Sequence, residues 1–328
     1  MNVLVTGGAG YVGSHVSKAL ACAGLAPVVF DNLSMGHRWA VKWGPLVEGD
    51  LADSQSISRA IRQHNIDAVM HLAASAYVGE SMTDPRKYFE NNTRNTMNLL
   101  GSMLDHGVKY IVFSSTCATY GNPTSIPMGE SHPQQPVNPY GDSKYFVERM
   151  LEWYSQAYSI QYVALRYFNA AGADPDGEIG EVHDPETHLV PLVIEAAQGK
   201  RKHLGVFGSD YPTPDGTAVR DYIHVKDLGT AHVLAVKYLQ SGGYSMALNL
   251  GTGIGHSVLD VVQSVERISG RRVPVVQEPR RPGDPPILVA DARKAKEVLD
   301  WSPQHSDMDM IVDTAWRWSV QNAAIREE

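Results

Sequence analysis

The stretch "TGGAGYVGSH", residues 6–15, sits between a short apolar run, "NVLVT", and a helix-like segment. Gly8, Gly10 and Gly13 fit G-x-G-x-x-G, and Gly7, Gly10 and Gly13 recur every third residue. Glycine is needed there if the turn is tight, if backbone must approach a pyrophosphate, and if the helix packs closely on the strand. The free N–H groups of the helix start then face the phosphates. An ordinary glycine-rich turn has the same composition, so context decides, and strand–turn–helix is the context the motif requires. Asp31 closes the second apolar run, 18 residues after Gly13. An acid there accepts hydrogen bonds from a ribose 2′-OH and repels a 2′-phosphate. The expectation is a dinucleotide site for NAD rather than NADP. Asp50, in "EGDL", is either an adenine neighbour or an exposed turn residue.

The rest of the first half alternates strand and helix patterns. "PVVFD" (27–31), "AVMHLA" (68–73), "YIVFSS" (110–115) and "YVALRYF" (162–168) read as buried strands. Helix-like segments at 14–24, 56–64, 95–107 and 140–158 lie between them. This implies a doubly wound parallel sheet with helices on both faces. Residues 121–139 hold five prolines and no periodicity. A loop that long inside a compact unit is usually functional. After about residue 170 the rhythm becomes irregular, which points to a smaller second unit. The expected division is 1–169 and 170–328, interleaved, with part of 220–255 returning to the first.

Composition removes several classes. The 328 residues carry a formal net charge of -8 and no basic run, a poor prospect for nucleic-acid binding. No run approaches the roughly 18 apolar residues of a membrane helix. "MNVLVTGG" lacks the basic region of a signal peptide. Two cysteines, Cys22 and Cys117, make neither a disulfide framework nor a zinc site. A cytoplasmic protein is expected. His183 and His188 are five apart, off a shared helix face, and with no carboxylate cluster to complete a site no metal is expected.

"NPYGDSK" (138–144) sets Tyr140 four residues before Lys144, on one helix face. An ammonium beside a phenol favours the phenolate and makes it a usable base. The spacing alone fits a surface pair equally well. With the glycine turn and "SSTCATYG" (114–121), however, the chain resembles the extended short-chain dehydrogenase/reductase superfamily, whose catalytic set is Ser or Thr plus Tyr-x-x-x-Lys. Here that set is Thr116, Tyr140 and Lys144. "HLAASAYVGES" (71–81), "LRYFNAAGA" (165–173), "FGSDYPTPDGTAVRDYIHVKDL" (207–228) and "RPGDPPILVAD" (281–291) resemble the UDP-glucose (UDP-galactose) 4-epimerases over nearly the whole chain.

That resemblance implies a Rossmann-type α/β fold with a smaller C-terminal α/β substrate domain, NAD as cofactor, a UDP-sugar substrate and a homodimer. It implies cofactor contacts at Gly7, Gly10, Tyr11, Val12 and Gly13. Asp31, Asn32, Asp50 and Leu51 would follow, then Leu72, Ala73, Ala74 and Asn91, with Tyr140 and Lys144. For the sugar nucleotide it implies Thr116, Asn169, His188, Leu189, Val206, Phe207, Arg220, Arg281, Asp284 and Leu288. Planar guanidinium groups suit the diphosphate. Phe207 fits a uracil neighbour or a core residue, and Leu288 a wall of the sugar pocket or a core residue.

The implied chemistry is oxidation at sugar C4, rotation of the 4-keto sugar, and re-reduction on the other face. Lys144 and the nicotinamide would lower the tyrosine pKa. Many members have Lys where this chain has Ala76, and Asn-Asn-Leu where it has Thr187-His188-Leu189. Another UDP-sugar, a pentose or an N-acetylhexosamine, remains open. A 4,6-dehydratase would need Asp-Glu after the Thr, where Cys117 and Ala118 stand. A non-enzymatic redox sensor would typically lack Tyr-x-x-x-Lys.

Overall fold

A computed structural model describes residues 1–281 and 283–322. The first half builds β1 (Asn2–Thr6), α1 (Tyr11–Cys22), β2 (Ala26–Asp31), β3 (Leu46–Glu48), α2 (Ser54–Gln63) and β4 (Ala68–His71). Short helices α3 (Val78–Thr83) and α4 (Pro85–Tyr88) lead into α5 (Asn95–Asp105). Then come β5 (Tyr110–Thr116), α6 (Pro139–Tyr158) and β6 (Gln161–Tyr167). The second half adds β7 (Asn169–Ala171), α7 (Leu189–Ala197), β8 (Leu204–Phe207), β9 (Val219–His224), α8 (Val225–Gln240) and β10 (Met246–Leu250). It ends with β11 (Gly255–Ser257), α9 (Val258–Ser269), β12 (Val275–Glu278), β13 (Ile287–Leu288), α10 (Arg293–Leu299) and α11 (Met308–Gln321).

Seven strands form one parallel sheet in the order β10-β6-β5-β4-β1-β2-β3. This is the doubly wound arrangement expected from the strand–helix alternation. The order reverses between β1 and β4, which opens a crevice at the carboxyl ends of these strands. Successive strand residues serve opposite faces. Val3, Val5, Met70, Val112, Val163 and Leu165 enter one core with α1, α8 and α10, while Leu4, Val69, Ile111, Phe113 and Ala164 enter the other with α2, α5 and α6. Both faces are thus covered, which is why the strands read as continuous apolar runs.

The last strand of this sheet, β10, comes from residues 246–250, paired with β6 in register Leu248↔Leu165. Smaller sheets, β11-β9-β13 with β7 beside β9, and β12-β8, belong to the second half. They pack with α7, α9 and α11 around Val193, Ile194, Val261, Val265 and Ile311.

The proline-rich segment after β5 has an ordered path. Met128 is fully buried, and its backbone bridges Ala290. Below it lies a buried polar network. Arg166 Nε donates to Glu148 Oε1 at 2.9 Å, with their side chains 6% and 7% exposed. Arg166 Nη1 donates to Tyr120 Oη at 3.0 Å, and Tyr120 Oη to Asn249 Oδ1 at 2.6 Å. Ser115 on β5 donates to Glu148 as well. One network therefore joins β5, α6, β6 and β10. Removing one partner of a buried pair leaves an uncompensated charge and costs about 3–5 kcal/mol. Glu148→Ala should markedly lower the midpoint of thermal unfolding, and Glu148→Gln, which keeps the shape and one acceptor, should lower it less.

Candidate active site

The glycine turn is built by contact. Gly7 has φ +72°, and a Cβ there would lie 2.6 Å from the Ala73 nitrogen. A Cβ on Gly13 would lie 2.0 Å from the Gly7 carbonyl oxygen. Helix α1 thus starts against β1 and the segment after β4 at a distance no side chain permits. Gly10 is its N-cap and supplies no side-chain cap. The first amides of the helix, at Tyr11, Val12 and Gly13, have no partner four residues back, so this helix end fits an anion such as a pyrophosphate.

Asp31 is only 8% exposed, and burial raises its pKa. Its Oδ2 accepts from Ala9 N at 3.0 Å and its Oδ1 from Leu33 N at 2.8 Å. It therefore ties the glycine turn to the end of β2. Asn32 Nδ2 donates to Asp50 Oδ2 at 2.7 Å, which puts those two residues together beside it. Leu72, Ala73 and Ala74 follow β4 and are half-buried. Asn91 Nδ2 donates to Ser75 Oγ at 3.0 Å. The Leu51 side chain lies in the core with Phe30 and Leu99, which leaves only its backbone for a ligand.

Thr116 ends β5 at the sheet's carboxyl edge, 7% exposed. Asn138 caps α6 by accepting from Gly141 N, and Pro139 opens the helix. This start places Tyr140 in the first turn, facing Thr116, with Lys144 one turn later. Lys144 Nζ donates to the Ser114 carbonyl at 2.8 Å and lies 4.8 Å from the Phe113 ring centre. Burial pulls the Lys144 ammonium down to about 7, while the Glu148 carboxylate, a further turn along, acts the other way.

The Tyr140 phenol is held well above its ordinary value, first by burial and then by Tyr167, with a hydrogen bond to Thr116 as an opposing influence. The expectation that Lys144 lowers this pKa is not met here. The ammonium is turned to the Ser114 carbonyl, and desolvation of the phenol wins.

On the second side of the cleft, Arg220 in β9 pairs with Asp284 and donates to its own Val219 carbonyl at 2.7 Å. The Arg281 guanidinium stacks 3.9 Å over the ring centre of Phe207, which is 36% exposed. Leu288 pairs with Arg220 across β13 and β9 and packs, half-buried, against the cluster of Tyr120, Met128, Phe168 and Ala290. Asn169 begins β7, opposite Tyr222. Val206 is buried in the second-half core, so only its backbone can reach a ligand. Leu189 begins α7, and His188 precedes it as the N-cap residue.

Four features went unread in the sequence. Glu148 follows Lys144 by four residues and could have been found by extending the Tyr–Lys spacing. Arg166 and Asn249 left no local signal, because their partners are distant in sequence. Asp221 is fully buried and accepts from the amides of Thr252, Gly253 and Ala290, which fixes the backbone beside Arg220. The fourth feature is a correction: two carboxylates do accompany the His183–His188 pair. Glu181, His183, Glu186 and His188 each direct one donor atom into a volume where all lie within 4.8 Å of one another.

Residues 3–251 match the NAD dependent epimerase/dehydratase family. The chain belongs to that family. A UDP-glucose 4-epimerase of Rhizobium leguminosarum bv. trifolii is 52% identical over 320 residues, covering 98% of each chain. A UDP-glucose 4-epimerase from Brucella ovis, solved in complex with NAD, superposes with a TM-score of 0.95 at 53% identity, covering 96% of this chain and 97% of that one. Another, from Bifidobacterium longum in complex with NAD+ and UDP, gives 0.93 at 37% identity, covering 98% and 99%. The family cofactor is NAD, which carries a pyrophosphate, and a helix end without a side-chain cap suits an anion.

The two glycines make separable predictions. Gly13→Ala should leave the purified protein with little bound NAD, since a methyl group cannot share space with the Gly7 carbonyl. Gly10→Ala, whose Cβ meets only that oxygen at 3.3 Å, should retain much more. Cofactor released by denaturation and quantified by chromatography gives the readout.

Proposed function

We propose the following division of labour in an enzyme that interconverts UDP-glucose and UDP-galactose with NAD. What carries it is the meeting of Thr116, Tyr140 and Lys144 at one carboxyl edge of the sheet, in a chain about half identical to UDP-glucose 4-epimerases over its length. Held by the glycine turn and Asp31, NAD would supply the acceptor and later the donor of the C4 hydride, and a positive charge while oxidised. Tyr140 takes the 4-OH proton and returns it to the C4 oxygen when hydride is delivered to the sugar's other face. Thr116 donates a hydrogen bond to the reacting oxygen. Lys144 holds its cation under the site through the Ser114 carbonyl.

The sugar must turn over between the two half-reactions, so the grip has to be on the nucleotide. Arg220 and Arg281 serve the diphosphate, and Asp284, released from Arg220, serves the ribose. Phe207 stacks near the uracil, and Asn169 bonds the sugar nucleotide. On the cofactor side, Asp31 receives the ribose hydroxyls, with Asn32 and Asp50 at the adenine. The 1–169 and 170–328 units supply the two walls. We also propose that two copies pair through α5 and α6, where Met97, Phe146 and Trp153 are exposed; light scattering at one chain's mass would argue against it. A cytoplasmic home suits the two free thiols, Cys22 and Cys117, and cell fractionation checks it.

Tyr140→Phe should lower kcat by roughly 10²–10⁴-fold, the usual contribution of a positioned acid/base, with UDP affinity little changed. Lys144→Ala, which removes the cation held at the Ser114 carbonyl, should lower the rate with the rising limb of its pH profile little moved, because burial rather than Lys144 sets the phenol's pKa; a rising limb displaced to higher pH would show that Lys144 governs it after all. Leu288 packs against the same buried cluster as Cys117, the neighbour of Thr116, and we propose that it walls the sugar pocket. Leu288→Tyr should suppress turnover of UDP-N-acetylglucosamine while sparing the plain hexoses. Equal loss on both would remove it as the gate.

A further inference from the structure

The segment 181–188 places two imidazoles and two carboxylates around one point. His183 Nδ1 lies 3.2 Å from Glu181 Oε1 and 3.7 Å from Glu186 Oε2. His188 Nδ1 lies 2.7 Å from Glu181 Oε1 and 3.3 Å from Glu186 Oε1. These separations suit ion pairs, but the directions do not suit hydrogen bonds. Among the described residues, His183 Nδ1, His188 Nδ1 and Glu186 Oε2 are buried and make none. The Glu186 side chain is only 6% exposed, so that oxygen is turned away from water as well. Two ring nitrogens and two carboxylate oxygens, all within 4.8 Å of one another, share one small volume.

We infer that Glu181, His183, Glu186 and His188 form a structural site for a divalent transition-metal ion of the zinc type. Zinc bonds imidazole nitrogen and carboxylate oxygen at about 2.0–2.2 Å, which puts neighbouring donors of a tetrahedron roughly 3.3–3.5 Å apart. These four separations, 2.7 to 3.7 Å, bracket that edge. Two imidazoles favour zinc over calcium or magnesium, which take oxygen. Four protein ligands close the shell, as structural rather than catalytic zinc sites do.

The second layer is also present. Glu186 Oε1 accepts from the amides of Thr187 and His188 at 2.8 and 2.9 Å, which orients the carboxylate. The edges of Tyr11 and Tyr77 enclose His183, with ring centres 6.2 and 6.3 Å away. The acidic group nearby is different, because Lys18 Nζ already sits among Asp174, Asp176 and Glu178 at 2.7 to 2.8 Å.

An ion here would fasten the loop before α7 where it touches the cofactor side. His37 Nε2 lies 3.2 Å from the Val182 carbonyl oxygen, and the Tyr77 hydroxyl donates to the Pro185 carbonyl at 3.3 Å. The metal thus holds the first turn of the sugar-nucleotide wall against the glycine turn.

The test is metal content and ligand field, read on the NAD-loaded full chain. Protein made in zinc-supplemented medium and exhaustively gel-filtered should hold about one zinc per chain by mass spectrometry. Protein stripped with chelator and given Co2+ should show the intense visible bands of a tetrahedral centre. Glu186→Gln and, separately, His183→Gln should lose both signals while keeping NAD, which reports that the fold survives. If either variant fails to fold, the wild-type cobalt spectrum still decides. The proposal is overturned by wild-type protein that retains no zinc and gives only the weak spectrum of the aquo ion, or by folded variants that bind as much metal as wild type.

Discussion

The buried Glu148–Arg166 pair anchors α6 to the sheet, and the placement of Tyr140 and Lys144 on that helix depends on it. Tyr140, Lys144 and Glu148 recur every fourth residue and share one face. Arg166 on β6 and Ser115 on β5 hold Glu148 from the sheet side. With that anchor in place, Lys144 has nowhere to go but over Phe113, to the Ser114 carbonyl, and Tyr140 meets the end of β5. Buried ion pairs are costly relative to apolar packing of equal volume. Here the pair also gives the helix a single orientation, which apolar packing specifies less sharply.

The cleft joins two kinds of order. One wall is made by backbone: glycines at van der Waals limits, and an aspartate whose two oxygens each accept from an amide. The other wall is made by long side chains, Arg220 and Arg281, already paired with Asp284 and stacked on Phe207. The first is rigid and suits a resident cofactor. The second can exchange partners and suits a substrate that enters and leaves. A reaction that must hold one end of its substrate while the other turns needs both.

The parallel sheet was legible because strand and helix periods alternate cleanly from residue 2 to 168, and because glycine has few substitutes at Gly7 and Gly13. The Tyr–Lys pair was legible as a spacing, and its chemistry only through resemblance. What could not be read was long-range. No periodicity announces that Arg166 meets Glu148, or that Asn249 completes Tyr120, since those pairs are 18 and 129 residues apart. The expected influence of Lys144 on Tyr140 failed for a related reason: helical spacing gives a shared face, but the direction of a long side chain is set by the carbonyl that receives it. The His183–His188 pair was judged on helix geometry, whereas the segment is a loop, where Glu181 and Glu186 fold back to join it.

Strand β10 has a consequence for how such a protein can change over evolutionary time. The chain leaves the large sheet after β6, builds part of the second half, returns as α8 and β10, departs again, and comes back with α10 before ending in α11. The two halves are therefore not cassettes. Any recombination that exchanged residues 170–328 in one piece would carry off an edge strand of the cofactor sheet and two helices that cover it. New substrate preferences must then arise residue by residue rather than by trading one module for another.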